Sequence, residues 1–278
     1  VQEGLWTEWF EDGQKRRERN FKDGERDSTW TTWYENGNKK FLASYSNGKL
    51  NGKYIRWYEG GIIKELDGEY INNKKHKKWI YWSRNGQKTE EINYDNGVHQ
   101  GSHIKWFGEK SDQHKKFHIN YKDGKKDGLW HYWYSTRVDS LKASYANGEK
   151  DGHWIWWRKN GLKDKEGFYK KEKKHGLWTI WNDSTGNAYH KLHEETYVND
   201  AIDGKVTKWY KEGGLDRQGI MRGKEKEGEW TYWERGGKRW LKFDYGDGLE
   251  KVSLGEIEER DGITFKIGKY EPYVGIVE

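Results

Sequence analysis

Cysteine is absent from this 278-residue chain. Disulfides, thiolate catalysis and cysteine-type zinc sites are excluded with it, while either redox compartment stays open. Proline occurs once, at Pro272. Beside that single proline, 35 glycines point to many tight turns and not to collagen or a proline-rich linker. Long apolar runs are missing too. The longest are Trp79 to Trp82 and Trp154 to Trp157, whereas a membrane-spanning helix needs about 20 apolar residues. Aliphatic residues are scarce: 32% of the chain is hydrophobic and 35% is charged, so a thick aliphatic core is not expected. The net charge of +6, from 52 basic and 46 acidic residues, is a mild excess and only weak support for an anionic partner. The chain starts at Val1 and its only methionine is Met221, so a native start is expected upstream, compatible with a removed leader.

Aromatic residues are abundant. The 19 Trp, 19 Tyr and 8 Phe exclude a disordered chain and imply a thin aromatic core. They are periodic. Related segments start at residues 4, 28, 52, 77, 101, 128, 152, 176, 204 and 228, spaced by 24 to 28 residues. Five places after each start stands Trp9, Trp33, Trp57, Trp82, Trp106, Trp133, Trp157, Trp181, Trp209 or Trp233. Two places after each start stands Trp6, Trp30, Tyr54, Trp79, His103, Trp130, Trp154, Trp178, Val206 or Trp230. A third column, Phe21 through Tyr45 and Tyr70 to Tyr245, keeps register if extra residues of the longer units fall in the mid-unit turn.

Each unit reads as two strands and two turns. The first strand is rich in Trp, Tyr, Thr and Ile, and the second carries alternating charge. Asp12-Gly13 and Asn36-Gly37 mark the mid-unit turn; Asp23-Gly24 and Asn47-Gly48 mark the turn between units. The expected fold is all-β: an elongated, twisted single-sheet meander of about ten tandem 24-residue hairpins over residues 1–250, followed by a cap or opening segment over 251–278. A five-bladed propeller would alternate with a period of about two units, and no such alternation is present.

Alternation along the first strand puts Leu5, Thr7 and Trp9 on one face and Trp6, Glu8 and Phe10 on the other. The Trp9 column, invariant in the repeat, is expected as the structural ladder. The column Trp6, Trp30, Tyr54, Trp79, Trp130, Trp154, Trp178 and Trp230 is the candidate binding face, a stacking platform for sugars, bases or a partner's side chains. No catalytic constellation accompanies them. Glu90-Glu91 and Glu194-Glu195 are sequence neighbours that point to opposite faces of a strand. His190, His193 and Glu194 lack a third metal ligand, His114 and His118 flank a long loop, and His99 and His103 straddle a turn. No cofactor motif is present. Lys74 to Lys78, Lys125-Lys126 and Lys170 to Lys174 fall at one phase of the repeat and should line one edge. Interleaved Glu25, Asp27, Glu149 and Asp151 argue against nucleic acid.

The unit Gly-x-Trp-x-x-Trp-Tyr-x-Asn-Gly, closed by Tyr-x-Asn-Gly-Lys, is plain in Ser28 to Lys49, and Gly128 to Gly148 and Gly152 to Gly161 repeat its halves. It resembles the MORN repeat, in the bacterial variant often labelled an antitoxin component. Glu259 to Phe265, followed by Glu271 to Gly275, resembles the segment that opens runs of such repeats. The resemblance implies a non-enzymatic hairpin-repeat scaffold without catalytic residues or cofactor, binding protein and open to self-association. Polysaccharide held on Trp ladders, or anionic lipid on the basic edge, are the alternatives, with the cytoplasm or the cell envelope as the compartment. Choline- or glucan-binding wall repeats are also Gly- and Trp-rich, but their period is nearer 20 residues and their strands carry little charge.

Overall fold

A computed structural model describes residues 1–108, 114–182, 189–246, 257–260 and 263–266. No helix lies among them. The chain divides into two compact units, Val1–Glu149 and Lys150–Glu278. Six hairpins fill the first, from Gly4–Trp9 with Lys15–Lys22 to Gly128–Trp133 with Asp139–Ala146. The second holds four, from Gly152–Trp157 with Lys163–Lys170 to Glu225–Trp233 with Arg239–Tyr245. Within each unit the hairpins pair antiparallel in chain order, each second strand with the next first strand. The expected all-β meander is the fold, with no grouping into blades. Ile257–Arg260 and Ile263–Lys266 form a further two-stranded hairpin. Asp261, Gly262 and residues 271–275 of the expected opening segment lie outside the described residues.

The extra residues of the longer units sit in the mid-unit turn, as the register requires. The strands end at Trp9, Trp57, Trp106 and Trp181 and resume at Lys15, Lys64, Lys115 and Lys191 in the first, third, fifth and eighth hairpins. Opposite each invariant Trp the ladder skips one residue: Glu8 faces Arg17, but Trp9 faces Lys15. A second irregularity explains the glycine that opens most units. Between neighbouring hairpins, Glu18 faces Thr31 and Asn20 faces Asp27, so the chain bulges at 28–30. Every repeat start takes a positive φ, from 55° at Ser28 to 131° at Gly204. A side chain is disfavoured in that region, hence the glycine. Ser28 and Lys77 tolerate it without one.

The turns between hairpins have positive φ at both central residues, as at Asn47 and Gly48, except at Gly223-Lys224, where only Gly223 does; both forms match strand twist. They also stack. The Gly48 amide donates to the Arg26 carbonyl at 2.9 Å, and the same bond recurs from Gly97 to Lys75 and from Glu172 to Lys150. Thus even the exposed turn edge is tied hairpin to hairpin.

Gly128 has φ +74°, and a methyl group added there would meet no atom within 4 Å. Its replacement by Ala should therefore cost only backbone strain, about 1 kcal/mol. Lys171 holds φ 49° where other turns have Asn or Asp, so Lys171→Asn should gain about 0.5–1 kcal/mol. Urea denaturation with an unchanged slope and opposite shifts of midpoint is the expected result.

Candidate interaction surface

The two aromatic columns lie on opposite faces, and the column expected to bind is the more deeply buried of the two. Trp79 is 1% exposed and Trp230 2%, with Trp130, Trp154 and Trp178 buried alongside. Trp30 and Tyr54 are half-buried, and Trp6, on the first strand, is 47% exposed. This column, expected to bind, is core. The invariant column, expected to be the ladder that holds the sheet, is only partly buried at Trp33, Trp57, Trp82, Trp106, Trp133, Trp157, Trp209 and Trp233, in the same range as Trp30 and Tyr54, and is buried at Trp181. Trp9 is exposed.

The physical reason is a seat in the preceding hairpin. A Cβ at Gly68 would stand 2.3 Å from the Trp79 ring; Gly167 and Gly219 stand in the same relation to Trp178 and Trp230, at 2.2 Å. The indole thus lies flat on the neighbour's backbone. Its N–H then donates to that strand: Trp30 to Asn20 O at 3.0 Å, Trp79 to Glu69 O at 3.1 Å, Trp130 to Asn120 O at 2.8 Å, Trp178 to Phe168 O at 3.0 Å and Trp230 to Ile220 O at 2.9 Å. Tyr54 opposes Ala43, and the smaller riders His103 and Val206 oppose Ile92 and Glu195. The seat before Trp130 is Ile119, so size matching is a tendency of the column and not a rule. These small residues inside charged strands are the sequence signal of a close approach, one that the aromatic columns by themselves do not carry.

The third column completes this face. Trp30 packs between Phe21 and Tyr45 at 5.4 and 5.1 Å; Tyr169 and Trp178 meet edge-on at 5.1 Å. A cation closes most of these rungs. Arg26 lies 4.6 Å from the Trp30 ring, Lys75 4.4 Å from Trp79, Lys126 4.6 Å from Trp130 and Lys174 4.5 Å from Trp178. Each also covers the adjacent Tyr. Part of the expected basic edge is therefore folded onto the core, in contacts of about 0.5–2 kcal/mol each. Before Tyr54, His103 and Val206 the same position holds Leu50, His99 and Ile202. His99 and His103 share the strand Val98–Trp106 and do not straddle a turn; their rings are 5.9 Å apart, with Tyr94 and Tyr121 beside His99.

The opposite face is built differently. Across from the invariant Trp stands a lysine in each of the first five hairpins: Lys15, Lys39, Lys64, Lys88 and Lys115. Several are held by a carboxylate three residues on, as in Lys15–Glu18, Lys64–Asp67 and Lys88–Glu91, each at 2.5 Å. Lys15 Nζ sits about midway between Trp9 and Trp33, 6.0 and 5.9 Å from their rings. The Tyr34 and Tyr58 hydroxyls donate to the carbonyls of Trp57 and Trp82 at 2.8 Å, fixing the backbone of the next rung. Among the described residues, the indole N–H of Trp33, Trp57 and Trp82 has no protein acceptor and is not sealed from solvent. In the eighth hairpin Tyr189, on the longest loop, stacks on Trp181 at 6.4 Å and closes that rung.

Three of these hairpins, residues 2–23, 26–47 and 75–96, match the MORN repeat variant family. These units are MORN-variant repeats. MORN repeats are modules of interaction with protein or membrane and carry no catalytic machinery of their own. No curated protein matches the chain. Glu90 meets His103 and Lys105 on the core face while Glu91 meets Lys78 and Lys88 on the other. Glu194 and Glu195 separate in the same way, toward Lys191 and toward Lys208. His193, Tyr197 and Lys208 hold the Glu195 carboxyl down at about 2 against the desolvation that opposes them. His190 contacts Asn182 and the Tyr210 carbonyl, and His118 contacts Ser102. No cluster of metal-ligating side chains occurs among the described residues. A cleft of about 580 Å³ beside Trp181 and Trp209 is basic, yet Arg158, Lys208 and Arg217 are paired with Asp164, Glu195 and Asp216.

Two predictions test the core face. Gly167→Ala drives a methyl into the Trp178 ring and should cost about 1–3 kcal/mol, more than Gly128→Ala, in the same denaturation assay. The His99 ring is pushed below the ordinary imidazole value by burial, then by His103 and Lys75, with Glu90 opposing. A lowered folded value means its contribution is complete above the unfolded pKa of about 6.5 and is lost as pH falls through the folded value. Stability should decline from pH 7 to pH 5, and His99→Phe should flatten that decline.

Proposed function

We propose that the chain is a non-enzymatic scaffold that binds a protein partner across the partly exposed tryptophan row of its MORN-variant repeats. One observation carries the reading: two aromatic columns of the same period differ in what they do for the fold. The core column spends both its ring face and its N–H inside the sheet. Trp33, Trp57 and Trp82 spend neither completely. A repeated, partly exposed aromatic row is the composition of a protein interface. Regular hairpins alike from one to the next also favour an extended binding surface over a single catalytic place.

A photoreactive phenylalanine analogue placed at position 57, and in a second protein at position 79, tests this in producing cells. Covalent adducts to a defined protein are expected at position 57 and not at position 79. Adducts only to glycan or lipid, or equal protein adducts at both positions, would sink the reading.

A further inference from the structure

We propose that the partner presents a proline-rich segment in the polyproline II conformation, laid across the strands so that successive turns meet Trp33, Trp57 and Trp82. The inference rests on the protein-binding reading above and names the chemistry of the partner. Its first support is spacing. Rungs recur every second strand, at about 9.4–9.8 Å. A polyproline II helix advances about 9.3 Å in its three-residue turn. Every third residue of such a segment therefore returns to the same face in step with the tryptophans. An extended β-strand repeats every two residues, about 6.6–6.8 Å, and an α-helix every 5.4 Å, so neither is commensurate.

The second support is hydrogen-bonding chemistry. Polyproline II has no internal hydrogen bonds, and its carbonyls need donors from outside. The indole N–H groups of Trp33, Trp57 and Trp82 are donors without protein acceptors among the described residues. Their partly exposed rings offer the flat apolar surface against which proline rings pack. The third support is charge. The lysines between the rings are largely matched by carboxylates, as at Lys64–Asp67 and Lys88–Glu91, which suits an uncharged backbone better than an anionic polymer. These 278 residues contain a single proline and do not supply such a segment themselves.

The test follows the indole N–H resonances of the ¹⁵N-labelled chain during titration with a twelve-residue peptide of four Pro-Pro-Ser triplets. The resonances of Trp33, Trp57 and Trp82 should move together, while those of Trp30 and Trp79, bonded inside the sheet, stay still. Trp57→Phe keeps a ring but removes one donor and should weaken binding about three- to tenfold. A peptide with valine in place of proline should not bind. Equal binding of the valine peptide overturns the polyproline inference and leaves the protein-binding reading standing. Movement with cellohexaose alone overturns both. No movement with the proline peptide at millimolar concentration overturns the inference, and the cross-link at position 57 then decides the broader reading separately.

Discussion

The fold depends on one contact repeated from hairpin to hairpin: an indole lying on the backbone of its predecessor and donating to its carbonyl. A lone hairpin is marginal in water, and this chain has too few aliphatic residues to build a second layer over the sheet. The indole supplies a large apolar area together with a polar handle. When it sits on Gly68, Gly167 or Gly219, both are satisfied at once. Cooperation between neighbours follows directly, because each ring needs the strand before it.

The rest of the core face elaborates that contact. Tyr rings flank each indole, and a lysine or arginine lies over the pair. The lysine stem covers apolar surface while its ammonium stays near water, so a highly charged sequence still closes a core one side chain deep. Substitutions along the column change the local chemistry without breaking the sheet. Ile202, Val206 and Met221 make an aliphatic cluster against Trp230, and His99 with His103 makes a titratable rung. The other face has no seats. Most of its tryptophans stand opposite lysines at a bulge and are only partly buried.

Much of this was legible in the residues. The period, the ten hairpins, both turns and the place of the insertions follow from spacing and from Asn-Gly and Asp-Gly pairs, because these depend on contacts within about 24 residues. The glycine at each start was visible, but its cause, a positive φ at a bulge, depends on pairing with the previous hairpin. His99 and His103 were misplaced for a related reason: Asn96-Gly97 already completes the turn, and the strand resumes at Val98.

Strand alternation alone determined that the two Trp columns occupy opposite faces. Only the tertiary structure decided which is core. That choice lies with the neighbouring hairpin, whose backbone carbonyl, and at Gly68, Gly167 and Gly219 a bare backbone, receives one indole, while across from the other most often stands a lysine. Regularity within the repeat did not distinguish them, since an aromatic that holds a sheet together and one that faces outward recur with the same period.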